Sequence, residues 1–220
     1  MENEKVIELI NKIKSKLNQE DLISILSKKT LNSVEMIELF ILLGGDITYN
    51  NNCLLRSAAS LGYAKSVELL ILKGADITSN NNEAIWSAAY LGHLDVLKIL
   101  VKYGVDINAN EGEALILAAS MGHTEIVEFL INNGADVKAK SNEAIKFAAF
   151  RGFLEIVKIL IASGADVTAN DNIAINLAKD HKHWDVVDAL QKAGASIESL
   201  SPIPEEKKAK KKRVHFFIKK

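Results

Sequence analysis

Cysteine is almost absent from this 220-residue chain: Cys53 is the only one. An intramolecular disulfide is therefore excluded, and so is a zinc site built on cysteine. Proline is nearly as scarce, with both copies, Pro202 and Pro204, close together near the C-terminus. Neither charge dominates, since 27 Lys and Arg face 28 Asp and Glu for a formal net charge of −1. A nucleic-acid or anionic-membrane reading is thereby confined to one local basic segment. No stretch approaches the roughly 20 apolar residues needed to span a bilayer, and residues 1–11 carry Glu and Lys in place of a secretory apolar run. The expectation is a soluble, intracellular protein. Catalytic signatures are missing too. The chain has no nucleophile elbow, P-loop or Rossmann glycine pattern, and Cys53 has no evident histidine partner. We expect no enzyme activity, cofactor or metal.

What is present is a period. Gly44-Gly45-Asp46-Ile47, Gly74-Ala75-Asp76-Ile77, Gly104-Val105-Asp106-Ile107, Gly134-Ala135-Asp136-Val137, Gly164-Ala165-Asp166-Val167 and Gly194-Ala195-Ser196-Ile197 follow one another at intervals of 30 residues. A fixed period of this size marks a stacked array of small units. Such arrays have no single deep core and present a long surface. The functional question becomes which partner, rather than which reaction.

One unit reads as two helices. In 82–91, Asn82 is a good N-cap residue and Glu83 supplies first-turn acidity. Gly92 is a left-handed helix stop. A second helix runs from Leu94 to Tyr103 and ends at Gly104. The N-cap column reads Asn52, Asn82, Gly112, Asn142, Asn172. Paired alanines recur at 58–59, 88–89, 118–119 and 148–149, which lets neighbouring helices approach closely. Asp76, Asp106, Asp136 and Asp166 recur at a turn and are expected to bond backbone amides. One carboxylate per unit cannot form a paired acid/base site. His181 and His183 fall in a helix-end loop where their rings are expected to diverge, with no third ligand nearby. Abundant Ile, Lys and Asn are consistent with an AT-rich genome.

Residues 118–137, AASMGHTEIVEFLINNGADV, resemble the ankyrin-repeat signature almost position for position, and 88–107 and 148–167 match nearly as well. The resemblance implies an all-α ankyrin-repeat solenoid of stacked helix-turn-helix units with short β-turn fingers. Inner helices would form one row and outer helices the other. The unit has 30 residues where the family has 33, and the family's TPLH is replaced by Glu83-Ala84-Ile85-Trp86 and its equivalents. The Asn and Glu residues at the helix start are expected to substitute as caps. Short-finger repeats of this kind resemble those of giant viruses and some intracellular bacteria.

The expected organisation is a repeat domain over 1–198 and a tail over 199–220. Within the domain, 1–47 hold an N-terminal helix and a degenerate first unit, 48–168 the regular units, and 169–198 a capping unit. The N-terminal helix, 4–17, either covers the open end of the stack or serves oligomerisation or a membrane surface. The tail joins a proline-containing linker to Lys207, Lys208, Lys210, Lys211, Lys212 and Arg213. It reads as a solubilising segment, a nuclear-localisation signal, or an anion-binding patch for nucleic acid or membrane.

The resemblance implies a protein partner on the concave inner-helix side, bound by a monomeric scaffold or adaptor, with a pathogen or viral effector in view. Columns that change type between units are the informative ones: Arg56, Trp86, Ile116, Lys146 and Asn176; the pairs at 60–61, 90–91, 120–121, 150–151 and 180–181; and Lys73, Tyr103, Asn133 and Ser163. From these the candidate partner-binding residues are Arg56, Trp86, Tyr90, Leu91, Tyr103, Met121, Lys146, Phe150 and Arg151, which include types enriched at interfaces. Trp86, Leu91 and Met121 have packing between units as the alternative.

Overall fold

A computed structural model describes residues 8, 10–26 and 30–197. Helices α1 (Gln19–Ile25) and α2 (Val34–Leu42) form the first pair. Five longer units follow: α3 (Tyr49–Ser60) with α4 (Ala64–Leu72), α5 (Ser79–Leu91) with α6 (Leu94–Lys102), α7 (Ala109–Met121) with α8 (Thr124–Asn132), α9 (Ala139–Arg151) with α10 (Leu154–Ala162), and α11 (Ala169–Asp180) with α12 (Trp184–Lys192). Each of the five longer pairs packs internally. The odd-numbered helices from α3 onward stack on one another as an inner row, and the even-numbered ones from α2 onward form an outer row. The described residues include no strand.

The two rows hold together for different reasons. Inner helices meet through the alanine pairs, all of which are completely buried from Ala58 to Ala149. An outer helix buries one stripe, Val96, Leu97 and Leu100 in α6, and its equivalents follow in every later unit. Each such side chain contributes roughly 1.5–3 kcal/mol of burial. At the C-terminal end the pattern changes. Lys179 replaces the second alanine and Gln191 stands where Ile161 and Ile131 pack. At the other end, residues 10–14 are helical, and Ile10 and Leu17 pack on the core. Val6, Ile7, Leu9 and the tail residues Lys207–Arg213 lie outside the described residues.

The connection between units is a short turn, closed at its tip by Ser79 N–H to Asp76 C=O at 3.3 Å. After α4, Ala75 N–H bonds Leu70 C=O and closes the helix. Asp76 Oδ1 then accepts from Thr78 N–H at 2.8 Å and from Thr78 Oγ1 at 2.7 Å. The same turn recurs at Asp46, Asp106, Asp136 and Asp166. It holds the Asp46 and Asp166 carboxyls below the ordinary carboxylate value, first through the threonine hydroxyl and then through its backbone N–H. Three left-handed residues follow, Asn80, Asn81 and Asn82 at φ 52°, 57° and 57°, before the right-handed helix starts at Glu83. Left-handed backbone costs an ordinary side chain about 1–2 kcal/mol, and Asn tolerates it best after Gly. Asn fills most of these positions from 50 to 172, with Gly112 in one. The abundance of Asn thus has a structural cause as well as any genomic one.

The asparagine column is also corrected. Asn52, Asn142 and Asn172 make no cap on their own helices. Their Oδ1 atoms accept from the backbone N–H of Asp76, Asp166 and Ser196, 24 residues on. Gly112 has no side chain, and Asn108 takes over there, accepting from Asp136 N–H at 2.8 Å and donating to Gly134 C=O at 3.0 Å. Gln19 does the same for Asp46 and Gly44.

A second ladder links the helix hairpins. His93, His123 and His183 each bond through Nε2 to a carbonyl of the preceding unit, at Ser60, Tyr90 and Phe150. Their rings lie on Gly62, Gly92 and Gly152, which have positive φ. Lys182 adopts the same left-handed conformation, φ 63°.

The candidate partner-binding face

The inner helices expose a row of residues at their C-terminal ends. Tyr90 and Leu91 on α5 are 40% and 46% exposed, and Met121 on α7 is 38% exposed. Arg151 ends α9 exposed, and Phe150 beside it is half-buried. Trp86 is half-buried one helical turn before Tyr90, on the same stripe of α5. The structure therefore brings Trp86, Tyr90, Leu91, Met121, Phe150 and Arg151 onto one edge of the inner row.

Three expected site residues are otherwise engaged. Arg56 is 18% exposed. Its Nε and Nη2 donate to the Asn51 and Asn50 carbonyls, and Nη1 pairs with Glu83 of the next unit. Lys146 pairs with Glu143 at 2.8 Å on its own helix, and its ammonium lies 5.1 Å from the Phe147 ring centre. Tyr103 belongs to the outer row. It ends α6, and its hydroxyl donates to Glu68 on α4 at 3.2 Å, beside the Lys102–Glu68 ion pair. Those hydrogen bonds, Lys102 first, lower the Glu68 pKa and raise that of Lys102. Tyr103 is thus separated from the inner-face set.

Sequence reading missed two contributors. The glutamates Glu83, Glu113 and Glu143 occupy one position of three successive inner helices, and the signal was their recurrence. His181 stands edge-on to Phe150, ring centres 4.3 Å apart. The expected divergence of His181 and His183 is corrected: their rings lie nearly parallel at 6.3 Å. Both turn toward the preceding unit, because His183 reaches the Phe150 carbonyl and His181 meets the Phe150 ring. His181 Nδ1 bonds Leu177 C=O. Among the described residues no group of three or more His, Cys, Asp or Glu is placed to hold a metal. Burial pushes the Cys53 thiol above its ordinary pKa, which lowers its thiolate fraction.

No helix among the described residues is long and apolar enough to cross a membrane. A comparison with curated proteins returns no match. A family model for ankyrin repeats (3 copies) matches at 23–111, 55–141 and 86–171. Ankyrin repeats are protein–protein interaction modules and typically non-enzymatic. With an inner and an outer helical row in constant register and that match running from residue 23 to 171, the chain belongs to the ankyrin repeat family.

Proposed function

We propose that the chain is a monomeric, non-enzymatic adaptor that docks one partner protein on its inner-helix face, around Trp86, Tyr90, Leu91, Met121, Phe150 and Arg151. The observation that carries this is exposure out of place. Tyr90 and Leu91 directly follow Ala88 and Ala89, which are fully buried, yet they present large apolar surface to solvent. Aromatic and arginine anchors of this kind dominate protein interfaces. Replacing Tyr90 and Phe150 together with Ala should weaken partner capture at least about ten-fold, with circular dichroism unchanged. Affinity capture from host lysate with both chains in parallel measures this, and an unchanged partner list rejects the proposal.

The basic run at Lys207, Lys208, Lys210, Lys211, Lys212 and Arg213 supports a second reading as a nuclear, nucleic-acid- or chromatin-associated protein. Removing 201–220 should abolish retention on nucleic acid and nuclear signal if the tail acts this way. No change in either leaves the inner face as the functional surface.

A further inference from the structure

Glu83, Glu113 and Glu143 differ in one respect. Arg56 neutralises Glu83 across the unit boundary, and Lys146 neutralises Glu143 from one turn further along its own helix. Glu113 is reached from neither side. The place from which Arg56 acts, 27 residues before Glu83, is filled by Trp86 in the case of Glu113. The place from which Lys146 acts is filled by Ile116, which is buried at 5% exposure. Among the described residues no cation pairs with Glu113, although its side chain is partly withdrawn from water.

We propose that Trp86 and Glu113, flanked by Tyr90, form a receptor for one cationic side chain, arginine by preference, supplied by the partner protein. The inference rests on the inner-face reading above and adds the partner's chemistry to it. The constant register supplies the geometry. A guanidinium arriving at Glu113 would occupy the place, relative to that helix, that the Arg56 guanidinium occupies at Glu83. It would lie against an indole in place of its own aliphatic stem. Arginine suits both surfaces, because its planar fork pairs with a carboxylate and its face stacks on an aromatic ring. Indole is the strongest of the aromatic faces for a cation. A half-buried carboxylate without a counter-ion also gains more from a cation than an exposed one does.

The test is a random 12-residue peptide display library selected on the full-length chain. Enriched peptides should carry arginine at one fixed place beside apolar residues. Glu113→Gln should weaken those peptides about ten-fold or more, as should Arg→Gln in the peptide. The two changes combined should cost little beyond either alone. Trp86→Phe should weaken them less than Trp86→Leu. Enriched peptides without a fixed cation, or ones indifferent to Glu113→Gln, overturn the receptor. If such peptides still lose binding on Tyr90→Ala with Phe150→Ala, the inner face survives and only the cation receptor falls. Indifference to every inner-face change removes both. Cationic peptides that bind only after residues 201–220 are removed assign the receptor to the chain's own tail and overturn the partner assignment.

Discussion

Gly152→Ala is expected to cost the fold about 2–4 kcal/mol, combining left-handed backbone with a steric collision. Gly152 has φ +78°, and a Cβ there would stand 2.5 Å from Nδ1 of His183. The imidazole would have to leave, taking with it the 3.2 Å bond to Phe150 C=O and the contact with His181. Gly164 is the internal control. Its φ is +90°, but a Cβ there meets nothing within 4 Å. Gly164→Ala should therefore cost only about 1–2 kcal/mol, the conformational part alone. Urea unfolding followed by circular dichroism separates the two, and equal midpoint shifts would refute the role given to the ring. In a linear array the damage should begin locally, with α11 and α12 loosening before the middle units. Lys182 fits this account. It holds the same conformation with a full side chain at the last of the described units.

The Asn142 series has the next largest expected effect. Asn142 is buried, sits at φ 63° and accepts from Asp166 N–H at 2.7 Å. Asn142→Gly keeps the conformation and loses only the acceptor, about 1–2 kcal/mol for a backbone N–H left unpaired. Asn142→Ala adds the left-handed penalty, for about 2–4 kcal/mol in all. The protein already contains a natural remedy, since Gly112 is served by Asn108. The corresponding position here is Lys138. Lys138→Asn added to Asn142→Gly should recover most of the loss, while Lys138→Ala should recover none. Thermal midpoints of the four chains decide it, and an absence of rescue by asparagine would refute the exchange of acceptors.

The helices, the alanine contacts and the aspartate turns were legible in the sequence, because each is decided by residues within one unit. Asn142 was not legible, for a physical reason. Its acceptor meets an N–H in the next turn, whereas a residue just before a helix ordinarily caps that helix. Three left-handed residues in succession are costly enough that local propensity does not suggest them. The candidate face divides in the same way. The exposure of Tyr90, Leu91 and Met121 followed from positions that change type between units. The engagement of Arg56 and Tyr103 did not, since Glu83 and Glu68 lie 27 and 35 residues away in sequence.

The bond from an asparagine to the turn that follows is made to a main-chain N–H, not to a side chain. Ser196 is held by Asn172 in the same way that Asp166 is held by Asn142. The receiving end thus asks nothing of residue identity, and the giving end needs one amide side chain, placed where Asn142, Asn108 or Gln19 stands. A joint of this kind forms at the turns of Asp46, Asp76, Asp136, Asp166 and Ser196 alike. Copies can be duplicated, reordered or exchanged without readjusting the joint, which leaves the exposed inner-helix positions free to diverge while the scaffold stays constant.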